Sequence, residues 1–134
     1  MKRTANDGPV RRKGTGAPIL ERVRRILLAL PGAIEKPSHG EPTWFTGPKG
    51  KVFAMFDDHH HGAAHVSVWL ATPVEVQQAL VAKEPARYFV PPYVGVRGWV
   101  GAVLDAAADP DWDAIEALAR GAFQRVAAPK PRRT

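Results

Sequence analysis

Four groups of side chains in this 134-residue chain have types and spacings that could do chemistry. The run Asp57-Asp58-His59-His60-His61 offers oxygen and nitrogen donors of the kind that bind zinc, nickel or copper. Consecutive residues on one loop point in different directions, whereas metal sites draw ligands from separate elements held by further hydrogen bonds. No metal and no other cofactor is therefore expected. His39, Glu41 and Thr43 could hold an acid–base pair. No nucleophile with a partnered base stands nearby, and no carboxylate pair has a spacing suited to hydrolysis. A turn or cap role suffices, and the chain is not expected to be an enzyme.

The third group is Gly47-Pro48-Lys49-Gly50-Lys51, which invites comparison with a phosphate loop. No glycine stands five positions before Gly50, and Val52 occupies the place of the metal-binding Ser or Thr. It reads as a hairpin turn whose Lys49 and Lys51 can touch a phosphate backbone. The fourth group is Arg87 to Gly101, RYFVPPYVGVRGWVG, rich in arginine and aromatic residues. Pro91 and Pro92 forbid a helix, and Gly95 and Gly98 permit a turn around Arg97. Two antiparallel strands, about 87–90 and 98–104, joined by a rigid elbow, are expected here.

The elements that must position these groups follow from periodicity. Ile19, Leu20, Val23, Ile26, Leu27 and Leu30 recur at helical spacing after Pro18, with Pro31-Gly32 as the stop. Arg22, Arg24 and Arg25 fall on the other side, where a solvated face is expected. Residues 33–50 read as a turn-rich connection around one strand, 42–45. Strands at 51–56 and 65–71 follow, then a helix to about Lys83, opened by the capping box Thr72-Pro73-Val74-Glu75. Asp109-Pro110-Asp111 opens a last helix, with Arg120 and Arg125 toward its negative end. The sum is a two-layer α+β domain, α-β(3)-α-β(2)-α, with a five-stranded antiparallel sheet.

Composition bounds the rest. A chain of this length forms one domain, and 45% hydrophobic with 24% charged residues is ordinary for a globular protein. The absence of cysteine excludes disulfides and thiolate chemistry and suits the cytoplasm. Charges interrupt the first apolar run, so neither a leader nor a membrane span is read there. The net charge of +6 is unevenly placed. Residues 1–18 carry five basic side chains against Asp7 alone, +4, and residues 129–134 carry Lys130, Arg132 and Arg133, +3. Residues 19–128 hold eleven basic and twelve acidic side chains, −1. The chain thus divides into a basic disordered tail, 1–18, a neutral domain, 19–128, and a second basic tail, 129–134.

Tyr88-Phe89-Val90-Pro91-Pro92-Tyr93-Val94-Gly95, followed by Gly98-Trp99-Val100, resembles the signature segment of the MmcQ/YjbR family. Leu30-Pro31-Gly32-Ala33, His39 to Phe45 and Lys51-Val52-Phe53-Ala54 match in the same order, so the resemblance spans about residues 19–128. It implies a bacterial protein with a fold related to secretion chaperones, often described as DNA-binding. The shape kinship also raises a frataxin-type iron chaperone. Asp105, Asp109, Asp111 and Asp113 are too few for its acidic ridge and are explained as helix-start charges.

Two functions from different classes follow. One is non-specific, salt-sensitive nucleic-acid binding by the basic tails together with Lys49, Lys51, Arg87, Tyr88, Tyr93, Arg97, Trp99 and His39. Trp69 and Trp99 on an open sheet face would stack unpaired bases. The other is an interaction or small-ligand module, a homodimer included, using the Trp69/Trp99 face or the Pro91–Gly98 elbow. Tryptophan is more often covered than open, which makes a helix or second subunit over that face the expectation.

Overall fold

Apolar runs in the middle of the chain and near residue 100 form the central strands, and the helices pack on them. The computed structural model describes residues 11–59 and 65–129. The expected tails at 1–10 and 130–134, and His60 and His61 of the histidine run, lie outside the described residues. The order is α1 (Arg11–Leu28), β1 (Ile34–Ser38), β2 (Glu41–Phe45), β3 (Val52–Asp58), β4 (Val66–Leu70), α2 (Val74–Lys83), β5 (Tyr88–Phe89), β6 (Val100–Val103) and α3 (Trp112–Ala127). Short 3-10 turns, Val94–Arg97 and Ala106–Ala108, complete it. The strands form one antiparallel sheet in the order β1-β2-β3-β4-β6-β5.

The sheet therefore has six strands where the sequence predicts five. The additional one, β1, contains Pro37 and alternates little, so it reads as loop. Its place at the sheet edge tolerates a residue without an N–H. His39 (φ 54°) and Gly40 (φ 82°) join β1 to β2 with positive φ at both central positions, the turn that matches strand twist.

Register sorts the side chains. Ala54 faces Leu70, which faces Val100, while Phe56 faces Val68, which faces Ala102, giving one apolar row per level. Val68 and Leu70 meet Val23, Leu27, Ile115 and Ala119 of α1 and α3 in the interior. Trp44 pairs with Ala54 but Phe45 with Val52, so Phe53 is an extra residue. Such a bulge redirects a side chain, and the Phe53 ring meets Phe123 of α3 edge-on at 5.2 Å.

Helix α1 begins at Arg11 and carries Pro18 inside it, so residues 11–18, read as tail, are helical backbone. Its arginines do more than face water. Arg24 donates to both oxygens of Glu35 on β1 and to Glu21, and these anions raise its guanidinium pKa above the ordinary value. Arg22 lies over the Trp112 ring at 4.3 Å, tying α1 to α3.

Candidate functional site: a cationic groove and its elbow

The elbow between β5 and β6 is built by backbone constraints before any function enters. Pro91 and Pro92 hold the chain extended, and Tyr93 then turns it with φ 65° and ψ −63°. That turn is closed by the Val94 N–H donating to the Pro92 carbonyl at 2.6 Å. The 3-10 turn ends at Gly98 (φ 98°), where a Cβ would stand 2.8 Å from the Val74 nitrogen. Only glycine allows the elbow to lie this close to the start of α2.

Two polar side chains clamp it. Gln77, the one fully buried residue of α2, donates to the carbonyls of Gly95 at 2.8 Å and Trp99 at 2.7 Å. Thr72 Oγ1 donates to the Gly98 carbonyl at 2.8 Å. The capping box predicted for α2 does not form: Pro73 is the N-cap and makes no side-chain cap bond, because the Thr72 hydroxyl serves the elbow instead.

The clamp fixes the C-terminal half of the elbow over a groove of about 570 Å³. Lys51 from the start of β3, Arg97 from the elbow and Arg125 from the last turn of α3 line it, with Thr72 and Trp99 at its floor. No acidic side chain among the described residues lines it. Among the described residues no carboxylate pairs with these three cations, whereas Arg24, Arg87 and Arg120 are all paired. The Arg97 guanidinium sits 5.8 Å from the Trp99 ring centroid, so the ring braces the cation. The negative end of α3 contributes only about half an elementary charge, well below three full positive ones.

The other sequence-predicted residues separate. Arg87 is held by Glu84 at 3.0 Å and Asp109 at 3.2 Å, which raises its pKa and keeps it out of the groove. Tyr88 is a core residue whose phenol burial pushes upward in pKa, not a ligand contact. Lys49 is exposed in the β2–β3 turn outside the groove. Trp69 and Trp99 are only 2% and 3% exposed, so the stacking platform for bases does not exist. Trp69 donates its Nε1–H to Ser67 Oγ at 3.0 Å instead.

His39 and Tyr93 line a different concavity, about 430 Å³, together with Glu41, Asp57, Met55 and Trp69. Glu41 Oε2 accepts from the Asp58 backbone N–H at 2.8 Å, and His39 belongs to the β1–β2 turn, so turn-building explains both. His59 Nδ1 lies 2.6 Å from Asp58 Oδ1. Among the described residues no group of three or more His, Cys, Asp or Glu is gathered to hold a metal. None of their helices is long and apolar enough to cross a membrane.

Sequence reasoning missed Arg125, Thr72 and Gln77. Arg125 reads as a cation at a helix end, and only the topology shows that this end meets the start of β3.

Fold and site together define a small two-layer α+β domain, its helices and antiparallel sheet carrying an unpaired cationic groove beside a Pro-rich elbow. The YjbR family model matches residues 28–125, and the chain belongs to that family. The fold is similar to that in the crystal structure of the Deinococcus radiodurans protein DR2400, a DUF419 domain. That likeness has a TM-score of 0.67 at 17% identity, over 83% of this chain and 81% of that one. No curated protein matches the chain.

Proposed function

We propose that this YjbR-family protein is a non-catalytic nucleic-acid-binding protein that grips the phosphate backbone in the Lys51–Arg97–Arg125 groove. The observation that carries this reading is the gathering of three cations, from three separate elements, in a groove where no described carboxylate pairs with them or lines the wall. The groove lining runs to Ala128, and Lys130, Arg132 and Arg133 follow within five residues in the sequence. Covered tryptophans remove base stacking, so the contact is electrostatic and indifferent to sequence.

The test is fluorescence anisotropy of the full chain with a labelled DNA duplex at two salt concentrations. Three phosphate contacts in the groove predict a loss of roughly 40-fold in affinity between about 50 and about 200 mM salt. A Lys51/Arg97/Arg125 triple alanine variant should lose that share of the salt dependence. Unchanged affinity and slope in the variant would leave the tails as the binders and refute the groove.

A second reading rests on a separate observation. Val96 is 92% exposed at the elbow tip, with Val90 and Tyr93 also exposed. Apolar side chains presented this way suit docking against a protein surface, a second copy included. Light scattering on wild type and Val96→Asp tests it: a concentration-dependent dimer lost in the variant supports it, and a strict monomer removes it.

A further inference from the structure

The groove fixes its central cation more firmly than a sequence-indifferent electrostatic grip requires. Arg97 is exposed, yet the backbone around it is pinned by buried side chains. Gln77 donates to the carbonyls of Gly95 and Trp99, and Thr72 donates to that of Gly98. The guanidinium itself lies 5.8 Å from the Trp99 ring centroid, so the side chain is braced at both ends. A point charge on a flexible stem serves a polyanion from many positions. A guanidinium works as a two-pronged donor only when its plane is set. Lys51 and Arg125 reach the same concavity from the start of β3 and the last turn of α3, and the wall between is small or apolar: Val52, Ala71, Val126 and Ala128.

We propose, building on the nucleic-acid reading of this groove, that it takes a terminal phosphate, the monoester at the 5′ end of a strand, in preference to an internal diester. An internal diester brings one negative charge and two free oxygens. A monoester brings about −1.5 to −2 at neutral pH and three acceptor oxygens. Three oxygens suit three cationic side chains that arrive from three separate elements, and the larger charge balances them more nearly. The apolar wall lowers the local dielectric and strengthens each of these contacts. The volume, about 570 Å³, is that of a small-molecule site and leaves room for the terminal sugar behind the phosphate. The rest of the strand leaves through the open side of the groove. A free nucleotide carries the same monoester, so the test separates the two sources.

The experiment uses the full chain and a DNA duplex labelled at a 3′ end, displaced by competitors at about 50 mM salt and read by anisotropy. The competitors are the same duplex with 5′-hydroxyl ends, the same duplex with 5′-phosphate ends, and deoxyadenosine 5′-monophosphate. The phosphate-ended duplex should compete about tenfold better than the hydroxyl-ended one. A mononucleotide at least about tenfold weaker than the phosphate-ended duplex assigns the site to strand ends, and one of equal strength assigns it to free nucleotides; both support a monoester site. Arg97→Lys keeps the charge and loses the fork, so it should cut the preference for the phosphate end to about threefold. Lys51, Arg97 and Arg125 are all exposed, so their variants should fold. Equal competition by the two duplexes would overturn the proposal. If the Lys51/Arg97/Arg125 triple alanine variant then still weakens both duplexes, the groove holds internal phosphates and the nucleic-acid reading stands. If the triple variant binds both duplexes as the wild type does, the groove holds neither, and the reading and the proposal fall together.

Discussion

The two halves of the elbow border concavities of opposite character. Among the described residues, the C-terminal half, Arg97 to Trp99, faces Lys51 and Arg125 and no acid, whereas the N-terminal half, Tyr93 and Val94, borders a cavity lined by Glu41, Asp57, Met55 and Trp69. The groove is open, with cations on long side chains, and suits an extended polyanion. The cavity is largely apolar, and its two carboxylate residues are buried. A domain whose residues 19–128 sum to −1 can therefore still carry a strong local field, because its charges are sorted in space.

The largest expected effect comes from breaking the device that holds the two halves apart. Gln77→Leu removes the donors to Gly95 and Trp99 and leaves their carbonyls buried. Chemical denaturation should show a loss of about 2–4 kcal/mol. The elbow would loosen on both sides, so groove binding should weaken as well. Gly98→Ala tests the same region through the backbone, by strain at φ 98° and a Cβ too close to Val74, and should cost about 2 kcal/mol.

A smaller effect separates the two sides. Arg97→Ala alone should weaken duplex binding about fivefold at low salt and reduce the salt slope by about one. Tyr93→Gly acts on the other half: it relieves the positive φ, should raise stability by up to about 1 kcal/mol and should leave duplex binding unaltered. Smallest is a pH effect in the shared core. Burial raises the Tyr88 phenol above its ordinary value of 10.0. A raised folded value stabilises the protonated form, so this contribution is complete below about pH 10 and fades as pH rises through the folded value. Tyr88→Phe should therefore flatten the alkaline limb of a stability–pH profile.

How much of this was legible in the sequence depends on which physical signal carries each part. The helices, five of the six strands and the elbow follow from period and from Pro and Gly placement, because burial imposes those patterns locally. Strand β1 does not, since an edge strand with Pro37 pairs on one side only and needs no alternation. Lys51, Arg97 and Trp99 were legible as candidates and do meet in the groove. Arg87 had the same sequence credentials but is claimed by Glu84 and by Asp109, twenty-two residues away. Arg125 and Gln77 became visible only through tertiary contact. A glutamine in a helix reads as solvent-facing until a second element brings two carbonyls to it.

The central claim is that the folded domain, through its groove, touches the nucleic acid. The most direct measurement is a 15N-correlated NMR titration of the full chain with a short DNA duplex at low salt. The account predicts that signals of Lys51, Arg97, Trp99 and Arg125 move together with a common affinity. Shifts confined to residues 1–10 and 130–134, with those four unmoved, would contradict it.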